Sequence, residues 1–126
     1  MAKSPKQIVE TIPDPDQINP QTTDDFLERG WLYYTHKKYE LAEADFNHVL
    51  QHEPANADAW YALGLTLKAM GENQKAVTAF ARIASVIGEI DDHQRATIIS
   101  RLAHGQINQI NTGDWNLEKE VWKKKN

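Results

Sequence analysis

The chain has 126 residues, 40% of them hydrophobic and 25% charged, which is enough for one domain with a modest core and too little for two. It holds no cysteine, so disulfides, thiolate nucleophiles and cysteine-based metal sites are excluded. Net charge is −4 and unevenly placed: residues 1–58 hold five basic and eleven acidic side chains, which argues against general nucleic-acid binding because that needs an electropositive face.

Residues 1–21 carry Pro5, Pro13, Pro15 and Pro20. Proline fixes φ and supplies no backbone donor, so this stretch is expected to be a flexible arm, with Ile8, Val9, Ile12 and Ile18 able to dock locally. The N-terminus lacks the apolar core of a signal peptide and no window could span a bilayer, so the expectation is a cytoplasmic protein without membrane insertion.

Thr22-x-x-Asp25 has the spacing of a capping box, and Asp24, Asp25 and Glu28 place negative charge at the positive end of a helix dipole. A first helix is predicted from Thr22 to about Lys37. A second, from about Tyr39 to Glu53, puts Ala42, Phe46, Val49 and Leu50 on one face before Pro54 ends it. Asn56 can cap a third, running to Met70, with Trp60, Leu63, Gly64 and Leu67 on one stripe and Gly71 closing it. The fourth, about Asn73 to Ile87, buries Ala76, Val77, Phe80, Ile83, Ala84 and Ile87. Asp91 then caps a helix through about Asn111, with Ala96, Ile99, Leu102, Ala103, Ile107 and Ile110 at helical spacing. Thr112-Gly113-Asp114 breaks it, and Trp115 to Lys124 reads as a short final helix whose Trp115 and Trp122 are expected to close the Ile99/Leu102/Ile107 face.

Two of these hairpins repeat each other. Trp60-x2-Leu63-Gly64 followed by Ala76-x3-Phe80 has a degraded copy one period upstream, Phe26-x3-Gly30-x2-Tyr33 followed by Ala42-x3-Phe46. Asp24/Asp58, Gly30/Gly64, Ala42/Ala76 and Phe46/Phe80 are identical across the offset. A fixed period of about 34 residues marks stacked helical hairpins, and the pattern resembles the tetratricopeptide repeat. The resemblance implies an all-α fold: a short right-handed α-solenoid over residues 22–126, with repeats 23–56 and 57–90 and a degenerate C-terminal capping hairpin, 91–126. Arg29 stands where leucine is usual, Lys37 where the turn glycine is usual, Leu67 where tyrosine is usual and Gly88 where proline is usual. Gly64 is expected to press against Ala76, where two antiparallel helices approach closely.

The resemblance also implies a partner-binding scaffold with no chemistry of its own. Partners of such repeats usually lie in the concave groove lined by the first helix of each hairpin. By motif position the groove is expected to include Leu27, Trp31 and Tyr34 from the first helix and Tyr61, Leu65 and Lys68 from the third. Arg95 and Ile99 extend it if the solenoid continues, and Asp24, Glu28 and Asp58 at one edge favour a basic ligand flank. The carboxylate-clamp version of the repeat does not fit, because Leu27, Trp31 and Ala62 stand at its lysine and asparagine positions.

His48 and His52 have a metal-compatible spacing but no third ligand nearby in sequence apart from Glu53, and are read as solvated. Phosphate loops, serine elbows and zinc-protease motifs are missing from the sequence. The expectation is therefore no enzyme, no cofactor and no metal, but an adaptor or assembly factor binding a protein or peptide. The alternative is a structural subunit or self-associating scaffold whose groove is permanently filled.

Overall fold

Local chemistry sets the helix boundaries. In the computed structural model, which describes residues 13–117, the chain forms α1 (Thr23–Thr35), α2 (Tyr39–His52), α3 (Ala57–Ala69), α4 (Asn73–Val86) and α5 (His93–Thr112). The described residues contain no strand. The Thr22 hydroxyl accepts from Asp25 N at 3.1 Å while the Asp25 carboxylate accepts from Thr22 N at 3.3 Å, so the capping box is closed. Asn56 caps α3 through Ala59 N at 3.0 Å, and Asp92 rather than Asp91 caps α5, through Arg95 N at 3.2 Å.

Both hairpin turns are built the same way. Lys37 (φ 62°) and Gly71 (φ 81°), at equivalent positions of the two repeats, take the left-handed conformation. Lys38 N then reaches Tyr33 O, and Glu72 N reaches Leu67 O, each at 2.9 Å, which satisfies carbonyls at the helix ends. A lysine in that conformation costs about 1–2 kcal/mol that glycine does not.

Each helix packs on the one before and the one after it. In addition α1 touches α3 and α3 touches α5, whereas α2 and α4 lack comparable contact. The first helices of successive hairpins therefore form the inner layer, and their shared face is the concave one. Phe46 (0% exposed) and Phe80 (1%) are the largest fully buried side chains, with Val49, Ala76, Ile83, Ile99 and Ala103 around them. The repeated glycines exist for these rings. A Cβ on Gly30 would lie 2.5 Å from Phe46 Cε1, and one on Gly64 would lie 2.5 Å from Phe80 Cε1. The atoms nearest to a Cβ at Gly64 thus belong to the Phe80 ring, a contact that the motif reading, which named Ala76, did not include.

Two further expectations need correction. The arm expected over residues 1–21 is packed in its later part: Pro15–Gln17 form a 3-10 turn capped by Asp14, and Pro15 is buried. Residues 1–12 lie outside the described residues. At the other end Leu102 is not on the core face but 38% exposed, and Ile98 is 58% exposed. Trp115 does pack back on α5: its indole occupies the space that a side chain at Gly105 would need, and Asn108 Nδ2 donates to Trp115 O at 2.9 Å. The rest of the expected final helix, Trp122 included, lies outside the described residues.

Candidate binding surface

On α1 the spacing of four and then three brings Leu27, Trp31 and Tyr34 to the inner side, each partly buried against the core. Trp31 meets the Phe46 ring edge-on at 5.5 Å between centroids and Tyr34 at 5.9 Å. Tyr34 continues to Tyr39 at 5.6 Å, and burial is the main reason its phenol is held above the ordinary tyrosine pKa. On α3, Tyr61 leans on Phe80 at 5.5 Å and Leu65 lies one turn further on. These five side chains are anchored on one edge by the core and retain exposed area on the other. Tyrosine and tryptophan suit such a position because they bring large contact area with few torsions to immobilise.

The remaining three expected groove residues are placed differently. Lys68 Nζ donates to Gln106 Oε1 at 2.8 Å and to Gln109 Oε1 at 2.7 Å, and Gln106 Nε2 donates to Tyr61 Oη at 3.1 Å. This polar tie joins α3 to α5 and engages the Lys68 ammonium within the chain. Arg95 is engaged likewise by the Asp58 carboxylate. Ile99 is 7% exposed and belongs to the core. The apolar strip therefore consists of Leu27, Trp31, Tyr34, Tyr61 and Leu65, bounded by α5.

The most strongly coupled polar cluster lies at the N-terminal end of the stack, and it was invisible to the motif. Arg29 Nε and Nη2 donate to the two Asp45 oxygens at 2.9 and 2.8 Å, and its guanidinium lies 5.4 Å from the Phe26 ring centre and 5.6 Å from that of Tyr33. The Asp45 side chain is 5% exposed and that of Arg29 is 22% exposed. Tyr33 Oη and Lys38 Nζ both donate to Asp16, at 2.9 and 3.0 Å, and these bonds hold the Asp16 carboxyl below its ordinary pKa. Burial, and then the bond to Asp16, raise the pKa of the Tyr33 phenol. In the second repeat the positions of Arg29, Tyr33 and Asp45 hold Leu63, Leu67 and Ala79, all buried. The polar set thus stands where the second repeat uses apolar residues, and the Pro15–Gln17 turn docks on it.

These groups do not converge on a reacting centre. Among the described residues no group of three or more His, Cys, Asp or Glu side chains could hold a metal. His48 stacks on Phe26 at 3.8 Å, and the His52 ring nitrogen lies 3.0 Å from His48 O, so the pair is used in local packing and is not fully solvated.

Residues 33–89 match the family model of the tetratricopeptide repeat. Over this segment the chain is similar to the tetratricopeptide repeat. The segment spans the end of α1, all of α2 to α4 and the turn after them, a little under half of the chain. Comparison with curated proteins and with solved structures found no match. Tetratricopeptide repeats generally mediate protein–protein interactions, their stacked helices offering an extended concave surface, and the family is typically non-catalytic. No helix among the described residues is long and apolar enough to cross a membrane.

Proposed function

We propose that this protein is a non-catalytic interaction module, an adaptor or assembly factor that binds a segment of a partner protein along its concave face. The observation that carries this reading is the continuous strip Leu27, Trp31, Tyr34, Tyr61 and Leu65, seated on the core along one edge and open along the other. Affinity then comes from burying aromatic area, and Trp31 is the anchor, because tryptophan in a desolvated centre is the commonest hot spot.

The test compares wild type with a Trp31→Ala/Tyr34→Ala variant as bait in native lysate, quantified by mass spectrometry, with far-UV circular dichroism to establish that both are folded. A partner retained by wild type should be lost from the variant, and its purified affinity should fall about thirtyfold or more. A folded variant that retains the same partners refutes the proposal. A second reading, self-association, has one observation in its favour: Ile98 and Leu102 form an exposed apolar pair one turn apart on α5. Light scattering across a concentration series tests it, and a strictly monomeric protein removes it.

A further inference from the structure

Where the inner helices begin, the concave face deepens into a cleft of about 500 Å³. Its apolar part is formed by Leu27 and Ile90, both packed against the core, with Ala55 and Ala57 beside them. Its rim is acidic. Asp24, Asp58 and Asp92 stand at the same position of successive repeats, so the period places one carboxylate at the start of each inner helix, and Glu89 and Asp91 join them from the connection before α5.

The internal counter-charge is too small for this set. Arg95 is the one cation lining the cleft among the described residues, and Asp58 holds it. Each helix N-terminus contributes about half a positive charge, so the three of them together with Arg95 offset about half of the five carboxylates. Helix-dipole stabilisation accounts for one carboxylate per helix. It does not account for Glu89 and Asp91, which lie outside any α-helix. Among the described residues Asp24, Glu89 and Asp91 have neither an ion-pair nor a side-chain hydrogen-bond partner.

We infer that this cleft receives a basic flank of the bound partner, a lysine or arginine next to an aliphatic side chain. The inference deepens the function proposed above and depends on it for the strip, not for the cleft. Leu27 belongs to both surfaces, so a segment lying along α1 from Trp31 toward Asp24 stays on apolar contact until it reaches the carboxylates. The aliphatic side chain packs against Leu27 and Ile90, and the cation meets Asp24, Glu89 and Asp91. An acidic segment is repelled from the same place, so the rim sets both polarity and specificity.

The experiment pans a phage-displayed random dodecapeptide library on three folded proteins: wild type, Asp24→Asn/Glu89→Gln/Asp91→Asn, and Trp31→Ala/Tyr34→Ala. Enriched peptides are then synthesised and titrated by fluorescence polarisation at low and high salt. Wild type should enrich peptides with lysine or arginine beside an aliphatic residue. The neutralised variant should bind them about tenfold more weakly at low salt, with a shallower salt dependence. Neutral or acidic winners, or equal binding to the neutralised variant, overturn the inference. Dependence on Trp31 and Tyr34 without dependence on the carboxylates keeps the concave strip and refutes the cleft; the reverse keeps the cleft and refutes the strip. A library that enriches nothing refutes both. A wild-type dimer that dissociates when Lys123, Lys124 and Lys125 are replaced by glutamine would identify a second copy as the occupant and overturn the assignment to a foreign partner.

Discussion

Gly64→Val is the sharpest test of the hairpin geometry. A Cβ at Gly64 would lie 2.5, 2.6 and 2.7 Å from three atoms of the Phe80 ring. Ordinary contacts of that type are about 3.5–4 Å, so the overlap is roughly 1 Å on each of three atoms before the valine methyls are added. Phe80 is 1% exposed and Tyr61 packs against its ring, so the overlap is relieved only if the ring leaves its packed position and shifts toward the cavity of about 140 Å³ that it lines with Ile83 and Ala103. Overpacking of this kind costs about 1–3 kcal/mol. Valine recovers only a few tenths of a kcal/mol in helix propensity over glycine. The net loss is then about 1–3 kcal/mol, and each kcal/mol lowers the melting midpoint by about 4–8 °C in a domain of this size. Urea denaturation gives the free energy directly. Gly88→Val is the control, because nothing lies within 4 Å of a Cβ at Gly88. If Gly64→Val is as stable as wild type, or if the two variants lose the same amount, the pairing of small residue and ring described here is wrong.

The other expected outcomes concern the polar cluster and the turns. Arg29→Met should destabilise by about 2–3 kcal/mol, at the low end for a buried pair because Arg29 is a fifth exposed, whereas Arg29→Leu/Asp45→Ala, the second repeat's own residues, should recover most of that loss in urea titrations. The folded-state pKa of Asp16 lies below the ordinary aspartate value of 3.8, so its contribution is present above that value and is lost as pH falls through the folded pKa. Thermal melts of wild type and Asp16→Asn should accordingly converge as the pH drops below about 3.8, and a difference that grows in acid contradicts the assignment. Lys37→Gly should raise stability by up to about 1 kcal/mol by relieving the left-handed lysine, and a lowered melting midpoint would refute that reading. Gly105→Ala should displace the Trp115 indole and shift its N–H resonance in two-dimensional NMR; an unmoved resonance would show that the indole does not sit there.

The fold was legible because repetition makes the same packing problem appear twice. Gly30/Gly64 and Phe46/Phe80 recur from one repeat to the next since each hairpin needs one missing side chain to admit one ring. The caps at Thr22 and Asn56 were legible for a different reason: they are local, each closed within three residues. What the pattern hid was long-range polarity. Arg29 read as a departure from the usual leucine, yet its partner Asp45 also differs from Ala79 of the second repeat, and the two compensate across the hairpin 16 residues apart. Prolines suggested a free arm, but Asp14-Pro15-Asp16 is also a turn signal, and it is the docked turn whose Asp16 gives Tyr33 and Lys38 their partner, while Ile18 O just after it accepts from Arg29.

The apolar half of the candidate surface was legible as a shared helix face for the same reason that the core was. Helical spacing alone places Leu27, Trp31 and Tyr34 on one face, and the first helix of the next repeat presents that face again with Tyr61, Leu65 and Lys68. Charged side chains do not obey that logic, because a long flexible arm in a solenoid can reach the neighbouring repeat. Lys68 finds acceptors 38 and 41 residues away, and Arg95 finds Asp58, 37 residues back. A cation on the concave face is thus satisfied from within before any ligand arrives. The surplus carboxylates Asp24, Glu89 and Asp91 have no such internal partners among the described residues, since Arg95, the cation lining their cleft, is held by Asp58. The recognition proposed for this surface therefore rests on what the repeat leaves unpaired, an aromatic strip and an acidic rim, rather than on the cations that motif position alone would assign to it.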